Sequence, residues 1–410
     1  MSNEWLSSRE AARRLGVSAA TLYAYVSRGL LRSEAVDGRR ERRYRADDIS
    51  RLKRRRDVGR KAESIANHAL DFGTPVLESA LTLIEDGRLY YRGLDATDLA
   101  RAASLEEIAR LLWDCDDKPF AADNIPPMTT ALRRAWLAAA TLSPVDRCLV
   151  LLPAAAALDH PSWVEDRSAM LETGVRVLRL LTAAVTARPP APLPIHEQLA
   201  AAWRVPSEHA PLLRAALVLS ADHEFNASAF AARVVASTGA NLYGATMAGL
   251  AALNGPRHGG LTRRVAALFD DLKKAVDLDA ELAQRVRDHI YIPGFGHLLY
   301  PDGDVRAATL FALLREAVPH SPELAFAERL AAAAERLIDR KANVDFTTVT
   351  VERVLGLPKD SALALFLLGR TVGWIAHALE QAAHGVLIRP RARYTGPRPG
   401  SGGPSNGGNN

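Results

Sequence analysis

The sequence predicts an all-α body behind a small basic unit. Three observations carry that reading. From about residue 74 onward Ala, Leu, Arg and Glu dominate, and all four fit a helix well. Apolar residues recur at helical spacing in Leu105–Trp113, 131–142 and 171–185. Convincing alternating runs are few, with Arg88-Leu-Tyr-Tyr91 the one candidate for a short strand.

The basic unit comes first. Residues 1–61 hold 17 Lys and Arg against 8 Asp and Glu, a balance of +9, while the rest of the 410 residues balance at −4. The net charge of +5 therefore describes neither part. Ser7-Ser-Arg-Glu10 reads as a capping box that opens a helix with Ala11, Ala12 and Leu15 on its apolar face. Gly16 breaks it, and Ser18 is placed to cap a second helix running through Tyr25 to Gly29. Two helices joined at Leu15-Gly16-Val17 have the pattern of a helix-turn-helix. Asp37-Gly38 is a turn signal beside the basic ribbon 39–45, and Asp47 is expected to start a third helix.

The body follows, with breaks at Pro126-Pro127, at the proline-rich segment 188–194, and at the glycine-rich segments 255–260 and 293–296. Its 48% apolar share supports a large core. Residues 397–410 are nearly all Gly, Ser, Pro and Asn, so they cannot bury anything and are expected to be disordered.

Several classes of function fall away. The N-terminus lacks the apolar run of a signal peptide, and the longest apolar stretches, such as 361–368, are too short to span a membrane. A cytoplasmic location is expected. Cys115 and Cys148 are too far apart for a paired-thiol metal motif and read as buried spectators. His196-Glu197 and His223-Glu224 each lack the second histidine of a zinc helix, so no metal is expected. No phosphate-cradling Gly-Lys-Ser/Thr loop is present, and Gly294-Phe-Gly296 lacks the third glycine of a dinucleotide fingerprint.

What stands out is a set of polar residues in unusual settings. His223 lies at a break between two apolar helical stretches. His258 sits in Gly255-Pro-Arg-His-Gly-Gly260, where the glycines allow backbone to approach a ligand. His297 closes Pro293-Gly-Phe-Gly-His297, and Asp345 is a single carboxylate between Val344 and Phe346. Arg370 interrupts an apolar helix, followed on the same face by Trp374 and His377. Each alone reads as well as a cap, a satisfied core residue or a snorkelling cation.

Their order gives them meaning. The segments His223-Glu-Phe-Asn-Ala-Ser228, Gly255-Pro-Arg-His-Gly-Gly260, Gly294-Phe-Gly-His297, Asn343-Val-Asp-Phe346, Gly369-Arg-Thr-Val-Gly-Trp-Ile-Ala-His377 and Arg389-Pro-Arg-Ala-Arg-Tyr-Thr-Gly396 resemble the citrate synthase family, in the family's order. Leu89-Tyr-Tyr-Arg-Gly-Leu-Asp95 is similar to its early segment, and the resemblance covers about 74–396. It implies a large helical domain over 62–260 and 363–396, a small one over 261–362, and 1–61 as an appended winged helix-turn-helix domain.

The resemblance also implies an activity. An acyl-CoA, acetyl or propionyl, would condense with oxaloacetate, and the product thioester would be hydrolysed to citrate or 2-methylcitrate and CoA. Asp345 would be the base, His258 would meet the thioester oxygen, and His297 would polarise the keto oxygen. His223, Arg306, Arg370 and Arg389 would bind the dianion, since paired guanidinium groups suit carboxylates. The CoA thioester is a substrate, so no resident cofactor is expected. In the family the residue matching Arg389 reaches a neighbouring subunit's site, which implies a homodimer or larger homo-oligomer. Departures fall around the thioester: Leu298 replaces the usual arginine, Val305 a proline, and Thr347-Thr348-Val349 the usual Tyr-Ser-Gly.

The head, from Leu6 to Arg45, resembles helix-turn-helix modules of the excisionase and mercury-resistance-regulator type. That resemblance implies DNA contact through Ser18, Thr21, Tyr25 and Arg28, with Arg40 and Arg43 following the backbone as a wing. A rival reading makes the protein a DNA-binding regulator whose body senses oxaloacetate or acyl-CoA without turnover.

Overall fold

A computed structural model describes residues 5–15, 17, 22, 26, 31–35, 42–46, 48–49, 77–390 and 394–395. The chain divides into two compact units, Met1–Leu77 with Ile388–Asn410, and Glu78–Leu387.

In the first unit, strand β1 (Trp5–Ser7) leads directly into helix α1 (Ser8–Leu15), and β2 (Ser33–Ala35) and β3 (Arg42–Arg45) follow. The capping box forms as the sequence indicates. The Ser7 backbone N–H donates to Glu10 Oε2 at 3.0 Å, and the Glu10 N–H donates back to Ser7 Oγ at 3.3 Å. The three strands make an antiparallel sheet in the order β1-β3-β2, with Tyr44 facing both Leu6 and Ser33. Strand β1 was not anticipated, because three residues are too few to reveal alternation. Leu6, Ala11, Leu15, Leu22, Leu31, Tyr44 and Ile49 form a small core of their own. Ser18, Thr21, Tyr25, Arg28, Arg40, the Asp37-Gly38 turn, the third helix beyond Ile49 and the tail 397–410 lie outside the described residues. Arg43 is described, and it is exposed on β3.

The second unit opens on a small antiparallel sheet of β4 (Thr82–Glu85), β5 (Arg88–Tyr91) and β6 (Leu94–Asp95), in that order. The candidate strand Arg88–Tyr91 is its centre. Everything after it is helical: α2 (Ala96–Ala102), α3 (Leu105–Trp113), α4 (Thr130–Ala138), α5 (Pro144–Ala156), α6 (Arg167–Thr186), α7 (Ile195–Trp203), α8 (Ala210–Leu219), α9 (Ala227–Ala236), α10 (Leu242–Leu253), α11 (Leu261–Leu272), α12 (Leu278–Arg287), α13 (Val305–Ala317), α14 (Pro322–Ile338), α15 (Val344–Val354) and α16 (Ser361–His384), apart from three short 3-10 turns. Helix α4 ends earlier than the apolar pattern 131–142 implies. Ser143 caps α5 with Pro144 at its first position, and a proline disfavours helical backbone in the residue before it.

Helix α16 corrects one expectation. Over 24 residues, with mean hydropathy 1.5 in its most apolar window, it is long and apolar enough to cross a membrane, yet that window is wholly buried inside the protein. It is the central core helix, in contact with α3, α6, α8, α9, α10 and α15. A helix that is apolar all round suits a protein centre as well as a bilayer. The cysteines also differ from one another. Cys148 is buried in α5, and burial pushes its thiol up to about 12. Cys115, just beyond α3, is only half-buried rather than a core residue.

Candidate active site

Four breaks between helices and the middle of α16 supply the polar residues. The first break, 220–226, joins α8 to α9. Asn226 organises it. Its Oδ1 accepts the N–H groups of Ser228 and Ala229, both at 3.1 Å, and its Nδ2 donates to the carbonyls of His223 and Glu224. This fixes His223, which is buried with Nε2 at 3.0 Å from the Tyr300 hydroxyl. Burial, with the charges of Arg306 and Arg370, holds the imidazole well below the usual histidine range.

His258 lies in the next break, between α10 and α11, and its Nε2 is 2.7 Å from Ser228 Oγ. Its ring meets Phe366 of α16 edge-on at 6.0 Å. Burial, then Arg370, lowers its pKa to about 4, so it is neutral at pH 7.

The segment holding His297 is pinned to the one holding Asp345. The Gly296 N–H donates to the Lys341 carbonyl at 2.8 Å, the Asn343 N–H to Gly294 at 2.9 Å, and Asn343 Nδ2 to Gly296 at 3.2 Å. Gly294 and Gly296 both have positive φ, of 91° and 74°, which L side chains rarely adopt. Asn343 also caps α15, its Oδ1 accepting the Asp345 N–H at 3.1 Å. One asparagine thus places His297 and Asp345 together. Nδ1 of His297 accepts the Leu299 N–H at 3.2 Å, which puts the proton of the neutral ring on Nε2. Burial and Arg306 lower the pKa of this histidine as well.

Asp345 is the least satisfied of these groups. Its Oδ1 is buried without a hydrogen-bond partner among the described residues. Burial raises its pKa to about 7, against the pull of Arg306 and Arg370. That is the range a general base needs near neutrality.

Two buried arginines face this cluster. Arg306 is gripped by Asp304, Nε to Oδ1 at 2.9 Å and Nη2 to Oδ2 at 2.8 Å, while Asp304 also accepts the Val344 N–H at 2.9 Å. Burial works against the Arg306 charge, but Asp304 outweighs it and holds the guanidinium above its ordinary value. Arg370, 1% exposed, donates from Nε to the Ser220 carbonyl at 2.9 Å, and its Nη2 has no partner among the described residues. Burial lowers its pKa, and the nearby Asp222 carboxylate only partly offsets that. Asp222 itself accepts the Thr82 hydroxyl at 2.6 Å, and its Oδ1 is 3.3 Å from His377 Nε2.

Of the residues singled out from sequence, His223, His258, His297, Arg306, Arg370 and Asp345 fall within one electrostatic cluster: His223 feels both arginines and both other histidines, and Asp345 feels both arginines. Arg389 is exposed and belongs to the other compact unit. Sequence reasoning missed Ser228, Tyr300, Asp304 and Asp222. Asp304 carried a local signal, two residues before Arg306 at the start of a helix, where acids cap. Ser228 and Tyr300 carried none, since their partners lie 30 and 77 residues away. Among the described residues no group of three or more His, Cys, Asp or Glu could hold a metal ion.

Such a cluster can abstract a weakly acidic proton at Asp345, stabilise developing oxyanions with neutral imidazole N–H donors, and hold carboxylates on guanidinium groups. Comparisons with known proteins agree with that chemistry. A family model described as citrate synthase, C-terminal domain, matches residues 70–391, and one described as MerR HTH family regulatory protein matches 6–57. A citrate synthase of Haloferax volcanii is 32% identical over 361 residues, covering 79% of this chain and 94% of its own. Citrate synthase 2 of Bacillus subtilis is 29% identical over 364 residues, covering 79% and 95%. Among solved structures, the citrate synthase of Thermoplasma acidophilum, in ternary complex with carboxymethyl coenzyme A and oxaloacetate, superimposes with a TM-score of 0.68 at 27% identity, over 81% of this chain and 97% of that one.

Proposed function

The chain belongs to the citrate synthase family, and from that premise we propose how its own residues carry the reaction. The enzyme condenses acetyl-CoA with oxaloacetate and hydrolyses the product thioester to citrate and CoA. Asp345 takes a proton from the thioester methyl group, and its elevated pKa makes it basic enough to do so near pH 7. His258, neutral and tied to Ser228, donates to the thioester oxygen as enolate character develops. His297, carrying its proton on Nε2, polarises the keto carbonyl that the new carbon–carbon bond forms on and meets its growing charge. Arg306, Arg370 and His223 bind the dicarboxylate. CoA thioester is a substrate in this scheme, and no resident cofactor or metal takes part.

The observation that carries the reading is the buried, unpartnered Asp345 oxygen within reach of the Arg306 and Arg370 charges. A sensor without turnover has no use for a base held near pH 7. The test is thiol release with oxaloacetate plus acetyl-CoA or propionyl-CoA, by wild type and Asp345→Ala. Turnover in wild type that is lost in the variant is the expected result, and the acyl preference decides between citrate and 2-methylcitrate as the main product. No turnover with any short acyl-CoA would leave the sensor reading instead.

We extend the reading in three respects. The body divides into a large domain and a small one over 261–362, and their closure excludes water before condensation. The enzyme is a cytoplasmic homodimer or larger homo-oligomer in which Arg389 completes a neighbouring subunit's site. Mixed oligomers of Arg389→Ala and Asp345→Ala then regain activity that neither variant has alone. The N-terminal unit binds DNA, a reading supported by its match to the MerR helix-turn-helix and by exposed Arg42 and Arg43 on β3. Its affinity for duplex DNA should fall steeply with salt as phosphate contacts release counterions. An unshifted duplex at low salt would leave the unit a structural role.

A further inference from the structure

Tyr300 stands among the substrate-facing residues without having been assigned any part. It is buried, with its ring 5.1 Å from His297, 5.6 Å from His223 and beneath the Arg306 guanidinium at 5.4 Å. Its hydroxyl is 3.0 Å from His223 Nε2, and no other partner for that hydroxyl occurs among the described residues.

This contact has two arrangements, and they differ in which proton is left without an acceptor in the protein. The phenol carries one hydrogen, and the neutral imidazole carries one. If His223 held its proton on Nε2, it would donate to the phenol oxygen and the phenolic hydrogen would point at no acceptor. If the phenol donates to Nε2, the buried hydroxyl is satisfied and the imidazole proton lies on Nδ1, which is not among the buried unpartnered atoms and so opens onto the site. Burial raises the phenol to about 12 and keeps His223 neutral, so both groups hold these protonation states at pH 7. A buried hydroxyl left without an acceptor costs about 1–3 kcal/mol, enough to decide a tautomer.

We infer that Tyr300 is a positioning residue that fixes His223 as the Nδ1-protonated tautomer, so that the free Nδ1–H is the donor offered to the substrate dianion. No hydrogen bond among the described residues occupies Nδ1. The opposite tautomer would turn a lone pair toward a carboxylate. The substrate half of this inference rests on the citrate synthase reading; the tautomer half does not.

Long-range proton–nitrogen correlation spectra of the full-length enzyme, labelled with ¹⁵N-histidine, read the tautomer directly. His223 is assigned by the resonances lost in His223→Gln. The expected wild-type pattern is a protonated Nδ1 and an unprotonated Nε2. Tyr300→Phe, which removes only the hydroxyl, should lose that pattern. Its KM for oxaloacetate should rise about tenfold, as expected for losing one aligned hydrogen bond to a charged ligand, with kcat and the KM for acetyl-CoA little changed. An Nε2-protonated His223 in the wild type would overturn the inference whether or not the variant folds. So would a Tyr300→Phe enzyme with the wild-type tautomer and an unchanged KM. A wild type without turnover would count against the functional reading instead, and the spectrum of the resting enzyme would still decide the role of Tyr300.

Discussion

Ser228 Oγ lies 2.7 Å from Nε2 of His258 and 2.7 Å from Oδ1 of Asn226, so one hydroxyl joins the cap of α9 to the histidine proposed to meet the thioester oxygen. That hydroxyl donates to Asn226 Oδ1. Asn226 Oδ1 already receives two backbone N–H groups. Rotated to donate to Nε2, the same hydroxyl leaves His258 its own proton on Nδ1, free for a substrate. Ser228→Ala should therefore lower kcat by about 10- to 100-fold, as outer partners of an essential histidine do. Steady-state kinetics check it, and the KM for oxaloacetate should change little.

Asp345→Asn separates catalysis from stability. The proposed base is lost, so activity should drop by about 100-fold or more. The fold should gain stability, because a carboxyl whose folded pKa is raised above its unfolded value is strained when ionised. In the wild type that strain grows as pH rises from about 4, the unfolded carboxyl value, to about 7. Denaturant unfolding above pH 7 should show the variant more stable by ~1–3 kcal/mol, and the difference should vanish near pH 4.

The wild-type pH profile should follow from the same group. As pH falls through about 7, Asp345 takes up a proton and can no longer act as a base. A plot of kcat/KM against pH should therefore show an acidic limb of unit slope near that value. His258, with its pKa near 4, should contribute only far below it.

Arg370→Lys keeps the charge and loses the geometry. The guanidinium spends Nε on the Ser220 carbonyl and still has Nη2 free. A lysine cannot hold that carbonyl and a substrate carboxylate with the same fixed fork. We expect kcat/KM for oxaloacetate to fall about 100-fold, about 2.7 kcal/mol of transition-state binding, measured at saturating acetyl-CoA.

Gly373→Ala tests how α16 reaches the His223 loop. A Cβ on Gly373 would overlap the Ala221 carbonyl oxygen and sit 2.5 Å from Asp222 Oδ1, in the place where the Gly373 N–H donates to Ala221 at 3.1 Å. Backbone must move to admit it. Denaturant unfolding should show a loss of about 2–3 kcal/mol, and the KM for oxaloacetate should rise because Arg370 and His223 are displaced together.

Much of this protein was legible in its residues. Strand Arg88–Tyr91, helix Leu105–Trp113, the capping box at Ser7 and the polar residues at helix breaks all follow from neighbours within a few positions. A strand of three residues escaped that reading, since Trp5–Ser7 shows no period. Helix α16 was legible only in part: its apolar length was clear once its bounds were known, but burial decided that it is a core helix.

The sequence determined which chemical groups were available and in what order, because motif residues such as Gly294-Phe-Gly-His297 are contiguous words whose backbone demands are local. Only the tertiary structure decided what each group can do. The Asp345 carboxyl is pushed up to about 7 because burial disfavours its charge. His223 and His258 gain tautomer partners because Tyr300 and Ser228 are brought from 77 and 30 residues away. Protonation depends on solvent exclusion and on partners in space, and neither is written at any one position of the chain.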